Sequence, residues 1–185
     1  MNKPRVIFLF SGKRKSGKDY ICEQLNTKLA DCELVRISGP LKKMYADHHS
    51  LNWDKLMSDG PYKEHYRENM IKWSDRVRSE DPGYFCRAAC EAANVRKIWL
   101  VCDIRRKTDI QWFKKNYVNL KTVRISANPQ VRKERGWIFT QGIDDVTSEC
   151  DLDDFIDWDV ELNNNNTEEC NKSITCILDI AQQYL

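Results

Sequence analysis

Residues 12 to 19 read Gly12-Lys13-Arg14-Lys15-Ser16-Gly17-Lys18-Asp19. Two glycines at this spacing, with a lysine directly after the second, let a backbone turn point its N–H groups at phosphate oxygens while the lysine ammonium reaches the terminal phosphates. The pattern GxxxxGK is ordinarily followed by Ser or Thr, whose hydroxyl serves Mg2+; here Asp19 stands in that place. A carboxylate offers a metal a charged oxygen, directly or through bound water, and suits the first turn of a helix. Its negative charge beside a nucleotide calls for extra cations, which Lys13, Arg14 and Lys15 supply. The chemistry expected of the stretch is the binding of nucleotide phosphates.

Further along, "IWLVCD" is an apolar run ending in Asp103, a placement from which a carboxylate can hold Mg2+ through water. Asp at a strand end is also ordinary turn chemistry. Arg105 and Arg106 follow at once. Ligands of α/β sheets gather at the carboxyl ends of strands, so a double Arg there suits a substrate that carries phosphate. His48, His49 and His65 fall in helix-like segments without a triad-like setting.

These residues need elements to position them. "RVIFLF" (5–10) has the continuous apolar character of a buried parallel strand, and Ile21, Cys22, Leu25 and Leu29 recur at helical spacing after the glycine loop. Strands are also expected at 33–37, 97–103, 121–125 and over "DWDVEL" (157–162). Ser38-Gly39-Pro40 reads as a turn before a helix at 41–49. Tyr66, Met70, Trp73 and Val77 mark one face of a helix over 62–80 that Asp81-Pro82-Gly83 stops. Helices are expected over 84–94 and 128–135, and a last one carries Cys170, Ile174, Ile177, Leu178, Ala181 and Leu185 on one side. Strands alternating with helices imply a parallel sheet covered on both faces. The segment 136–157 is polar and acidic, and it is expected to be irregular and functional or mobile.

At 185 residues the chain suits one domain with a sizeable core. No apolar run approaches the roughly 20 residues that span a bilayer, so a soluble, untargeted cytosolic protein is expected. The eight cysteines form no CxxC pair and read as reduced structural residues. Net charge is only +2, but Lys and Arg are absent from 136 to 171, and nine carboxylates lie between Asp144 and Glu161. Basic residues gather at 13–15, 105–107 and 132–135. Short clusters on a nearly neutral chain fit a small anionic ligand better than nucleic acid, whose domains carry a large basic excess.

Six ordered blocks, "LFSGKRKSGKDY", "ISGPLK", "YKEHYRENMIKW", "DPGYFCR", "WLVCDIRRKTDIQWF" and "ERGWIFTQGIDD", together resemble the animal-type phosphomevalonate kinases over essentially the whole chain. In that family the loop itself ends in Asp. The resemblance implies a three-layer P-loop kinase fold, a central five-stranded parallel sheet flanked by helices with a mobile lid near 128–157. It implies ATP as co-substrate, Mg2+ as cofactor, mevalonate 5-phosphate as acceptor, and a monomer that binds neither nucleic acid nor membrane. By the same resemblance Lys13, Arg14, Lys15, Ser16, Gly17, Lys18 and Asp19 hold ATP, with Lys18 and Arg14 nearest the transferred group. Lys42, Lys63, Arg67, Arg78, Arg105 and Arg106 face the substrate, Arg105 and Arg106 also serving the transfer. Asp19 and Asp103 are the implied metal residues, and Arg135 belongs to the lid over ATP. After the last strand this chain has Asn164-Asn165-Asn166 where relatives carry Asn-His-Gly. Asn164 takes the implied substrate position, and Asn165 takes an ATP position without an imidazole.

An acceptor that is itself a phosphomonoester has a second pKa of about 6, so it is largely ionised at neutral pH and needs no general base. The harder task is electrostatic: two unit charges at 4 Å and an effective dielectric near 20 repel by about 4 kcal/mol. Fixed cations must offset that. Two other readings fit the loop: a kinase of another small phosphorylated acceptor, such as a nucleoside monophosphate, and a non-catalytic nucleotide- or RNA-binding module.

Overall fold

The computed structural model describes residues 3–58 and 60–185. In chain order its elements are β1 (Val6–Ser11), α1 (Lys18–Lys28), β2 (Cys32–Val35), α2 (Ser38–His49), α3 (Trp53–Met57), α4 (Pro61–Glu80) and α5 (Tyr84–Ala92). There follow β3 (Ile98–Val101), α6 (Lys107–Asn116), β4 (Leu120–Ser126), α7 (Pro129–Glu134), α8 (Thr147–Cys150), β5 (Val160–Asn163) and α9 (Thr167–Gln182).

All strand pairings are parallel, in the order β2-β3-β1-β4-β5. β1 lies at the centre, and every one of its six residues is buried. Its side chains alternate between two cores. Val6, Phe8 and Phe10 pack with Ile21 and Leu25 of α1 and Ile174 and Ile177 of α9. Ile7 and Leu9 pack with Phe85 of α5 and Ile110 and Phe113 of α6. Helices thus cover both faces, giving the expected three layers. A smaller cluster of Tyr45, Ala46, Leu56 and Met70 joins α2, α3 and α4.

The chain leaves β1 for β2, on one side of it, and returns to β4 on the other. The crevice outside the carboxyl ends of β1 and β3 is therefore the topological switch point at which such sheets bind ligands. Among the described residues no helix is long and apolar enough to cross a membrane. The eight cysteines are all unpaired.

Three local features differ from the sequence expectation. Ser38-Gly39-Pro40 is not a turn but the first turn of α2. The Asp103 carboxylate accepts from the N–H groups of Ile37 and Ser38 at 2.7 and 2.9 Å, satisfying the helix start from outside, and Pro40 sits where its missing N–H has no intrahelical role. Apolar periodicity alone predicts neither α3 nor α6, and in 136–157 it misses the four-residue α8. The last strand begins at Val160, later than expected, because Asp159 turns its carboxylate onto Thr122 N and Oγ1 at 2.7 and 2.8 Å.

Candidate active site

The loop between β1 and α1 folds as a phosphate cradle requires. Lys15 and Gly17 have φ of 61° and 86°, the left-handed region that turns successive N–H groups to one side. A Cβ on Gly17 would lie 2.1 Å from Asn164 Nδ2, and one on Gly12 would lie 2.7 Å from the carbonyl oxygen of Ile125. Neither position admits a side chain without displacement. No side chain caps α1, so its leading N–H groups and the positive end of its dipole face the hollow of the loop. Ser16 Oγ is buried and lacks a hydrogen-bond partner. A buried hydroxyl without a partner, beside an uncapped helix start, fits an anionic oxygen.

Lys18 is nearly buried, its ammonium donating to Asp19 Oδ1 at 2.7 Å and to the Cys102 carbonyl at the end of β3. Asp19 is exposed at the mouth. Desolvation pushes its carboxyl up, but Lys18, Arg36 and Arg105 outweigh this and hold it below the ordinary carboxylate range. Arg36, just past β2, reaches Asp19 Oδ1 and Glu23 Oε1, both at 3.4 Å. Asp103 lies behind this group with both oxygens engaged by the start of α2.

The acidic segment folds over the basic loop. Lys13 donates to the Glu149 carbonyl and to Asp153 Oδ2, each at 2.6 Å; Arg14 pairs with Asp144 at 2.9 Å; Arg105 pairs with Glu149. Arg124 of β4 reaches Ser11 Oγ at 2.9 Å and Asp153 at 3.2 Å. Arg132 donates to the Arg14 carbonyl at 2.7 Å, and its guanidinium lies 4.0 Å from the Trp137 ring centroid. The space left among Ser11, Gly12, Arg105, Arg124, Glu149 and Leu152 is only about 10 Å³.

A second bank of cations comes from α2, α4 and the turn after β3. Burial, with Lys63 nearby and Arg36 and Arg67 adding to it, pushes the Lys42 ammonium down to about 8. Arg67 makes a two-pronged contact with Glu64 at 2.8 and 2.6 Å. Glu64 in turn feels Arg14, so α4 approaches the loop. Arg78 donates to Asp109 at 2.6 Å, and Arg106 pairs with Asp75.

The two asparagines stand elsewhere. Asn164 is 3% exposed and donates its amide to the Ser16 carbonyl at 2.8 Å, supporting the cradle from behind rather than joining the second bank. Arg135 spans both, donating to the carbonyls of Ser16 at 3.2 Å and Asn164 at 2.8 Å. Asn165 accepts from Asn128 N at 2.7 Å and donates to Glu169 at 2.9 Å, tying the β4–α7 turn to α9. Sequence reasoning missed Arg36, Arg124 and the partners Asp144, Glu149 and Asp153. Arg36 carried a usable signal, its place at the carboxyl end of a strand.

A five-stranded parallel sheet with a glycine cradle closed by Lys18 at the start of α1 is the framework of the P-loop kinases. The family model of phosphomevalonate kinase matches residues 10–119. A phosphomevalonate kinase of Drosophila melanogaster is 50% identical over 186 residues, spanning 96% of this chain and 98% of its own. The chain belongs to the phosphomevalonate kinase family. Among solved structures, TT1252 of Thermus thermophilus shares the fold at a TM-score of 0.53 and 12% identity, over 96% of this chain and 97% of its own. The APS kinase CysC of Mycobacterium tuberculosis is similar at a TM-score of 0.45 and 11% identity, over 98% and 99% of the two chains.

Proposed function

We propose that this chain transfers the γ-phosphoryl group of ATP to mevalonate 5-phosphate, giving mevalonate 5-diphosphate and ADP, as a cytosolic monomer. The observation that carries the reading is the meeting of two cationic banks at one crevice. Lys13, Arg14 and Lys18 arrive from the loop, while Lys42 and Arg67 arrive from α2 and α4; Arg14 acts on Glu64 of α4, and Arg36 acts on both Asp19 and Lys42. Such a layout suits two phosphates brought together, for which positioning and charge compensation are the chief demands.

In this reading the cradle from Lys13 to Asp19 takes the nucleotide phosphates, Ser16 Oγ finding its partner there. Lys18, Arg14, Arg105 and Arg106 offset charge at the transferred group, and Lys42, Lys63, Arg67, Arg78, Arg105 and Arg106 receive the acceptor. The acceptor oxygen is already ionised, so no side chain takes its proton. Arg135 and Asn165 border the nucleotide side, and Asn164 holds the loop rather than the acceptor.

Mg2+ fits the exposed carboxylate of Asp19 better than Asp103, whose oxygens already serve α2. Among the described residues no group of three His, Cys, Asp or Glu could hold a metal by themselves, so Asp19 would share the ion with phosphate oxygens. Bound there, the ion neutralises phosphate charge. The segment 128–157 is the lid: its carboxylates stand on Lys13, Arg14 and Arg105, and phosphates exchange for them.

ADP release measured with Mg-ATP and mevalonate 5-phosphate tests the reading, beside Lys18→Met and a panel of nucleoside monophosphates. Turnover of mevalonate 5-phosphate that Lys18→Met abolishes is expected. Turnover of nucleoside monophosphates alone would overturn it.

A further inference from the structure

One carboxylate touches three of the arginines assigned above to the acceptor. Asp109, in the first turn of α6, has no exposed surface. Its Oδ2 accepts from Arg105 N at 3.2 Å and Arg106 N at 3.1 Å. Its Oδ1 accepts from Arg78 Nη1 at 2.6 Å and lies 3.4 Å from Cys86 Sγ. Helix capping accounts for the backbone contacts, as an acid near any helix start would do. It does not account for Arg78, which comes from the last turn of α4 and is 13% exposed.

The contact belongs to a crossed pair. Arg78 of α4 goes to Asp109 of α6, while Asp75 of α4, one turn earlier, receives Arg106 from the turn that leads into α6. Each side gives one acid and one arginine, so α4 cannot slide along α6 without breaking both. Burying an ion pair is a poor way to gain stability, since apolar replacements of both partners are often as stable or more so. It is a good way to fix direction. The Phe85 ring centroid lies 5.3 Å from the Arg78 guanidinium.

We propose that Asp109 is the positioning residue of the acceptor site: it sets where Arg105 and Arg106 leave the backbone and aims Arg78 between α4 and α6. The proposal rests on the assignment of these arginines to the acceptor phosphate. Asp109 touches no reactant itself, and its effect passes through the guanidiniums.

Steady-state kinetics with each substrate varied tests it. Asp109→Asn keeps an oxygen for the two N–H groups but loses the charge that faces Arg78. A misplacement near 1 Å can cost about 10²-fold, so kcat/KM for mevalonate 5-phosphate is expected to fall about 10- to 100-fold, with the KM for ATP unchanged. A purely structural role would not single out the acceptor. In an Arg78→Met background the same substitution should add little, and this double variant removes both buried charges together if Asp109→Asn alone fails to fold. An acceptor kcat/KM near that of the parent in a folded Asp109→Asn enzyme overturns the proposal. So does a double variant far worse than Arg78→Met. If instead Arg78→Met and Arg106→Met leave the acceptor KM unchanged, it is the assignment of the acceptor site that fails.

Discussion

Glu149 offers a direct test of the exchange between lid carboxylates and phosphates. Its side chain is 5% exposed and pairs with Arg105, whose side chain is 37% exposed. Replacing Glu149 with Gln removes the charge that competes with an incoming phosphate and keeps the side chain's shape. A hydrogen bond between charged groups is worth about 1.5–3 kcal/mol. Solvent reaches Arg105, so screening reduces the competition to about 1 kcal/mol. That is about a fivefold change in affinity. Calorimetric titration of mevalonate 5-phosphate should therefore give a Kd about fivefold lower for Glu149→Gln than for the parent. Nucleotide affinity should stay within about twofold, because Lys13–Asp153 and Arg14–Asp144 are untouched. The melting temperature without ligands should fall as the lid loses an ion pair. Unchanged or weaker acceptor binding by a folded Glu149→Gln protein would refute the exchange.

Gly17→Ala should raise the KM for ATP at least tenfold and lower the melting temperature. A left-handed φ costs an alanine about 1–2 kcal/mol, and its Cβ would meet Asn164 Nδ2 at 2.1 Å. Parental kinetics would mean that the loop does not need its left-handed turn. Lys42 predicts two opposite pH trends. Its charged form is the one that meets phosphate, so acceptor kcat/KM should fall as pH rises through about 8, and Lys42→Met should remove that limb. Its folded-state pKa lies below the ordinary 10.5, so the unfolded chain binds more protons between about 8 and 10.5 and stability from this group rises with pH there. Urea unfolding at several pH values checks the sign. Asp19→Ala should raise the Mg2+ concentration for half-maximal activity, and an unchanged Mg2+ titration would leave Asp19 as a helix-start carboxylate only.

The central layer was legible because β1 buries both of its faces, which writes "RVIFLF" as an unbroken apolar run, and because only glycine fits at 12 and 17. α6 was not legible for a matching reason. Its buried side includes Asp109 beside Ile110 and Phe113, so a buried carboxylate breaks the apolar pattern. Asn164 carries no direction in its sequence; only the closeness of Gly17 shows that its amide turns to the loop. The pairings of the acidic segment were hidden by separation, Arg14 and Asp144 lying 130 residues apart. Their charges were visible, and their partnership was not.

That partnership alters what the net charge of +2 means. The basic clusters and the acidic run between 144 and 161, separate along the chain, meet in the fold, where Lys13, Arg14, Arg105 and Arg124 each pair with Asp144, Glu149 or Asp153. On the proposed function a compact phosphate enters by exchange, each carboxylate displaced leaving a cation free to meet it. Asp19 fits the same logic. Adding a negative charge to the loop is tolerable only where cations are in surplus, and Lys18, Arg36 and Arg105 all act on its carboxyl. The Asp at position 19 and the extra arginines are thus two parts of one electrostatic arrangement. Removing the cations should make the carboxylate at position 19 a hindrance to ATP rather than a help.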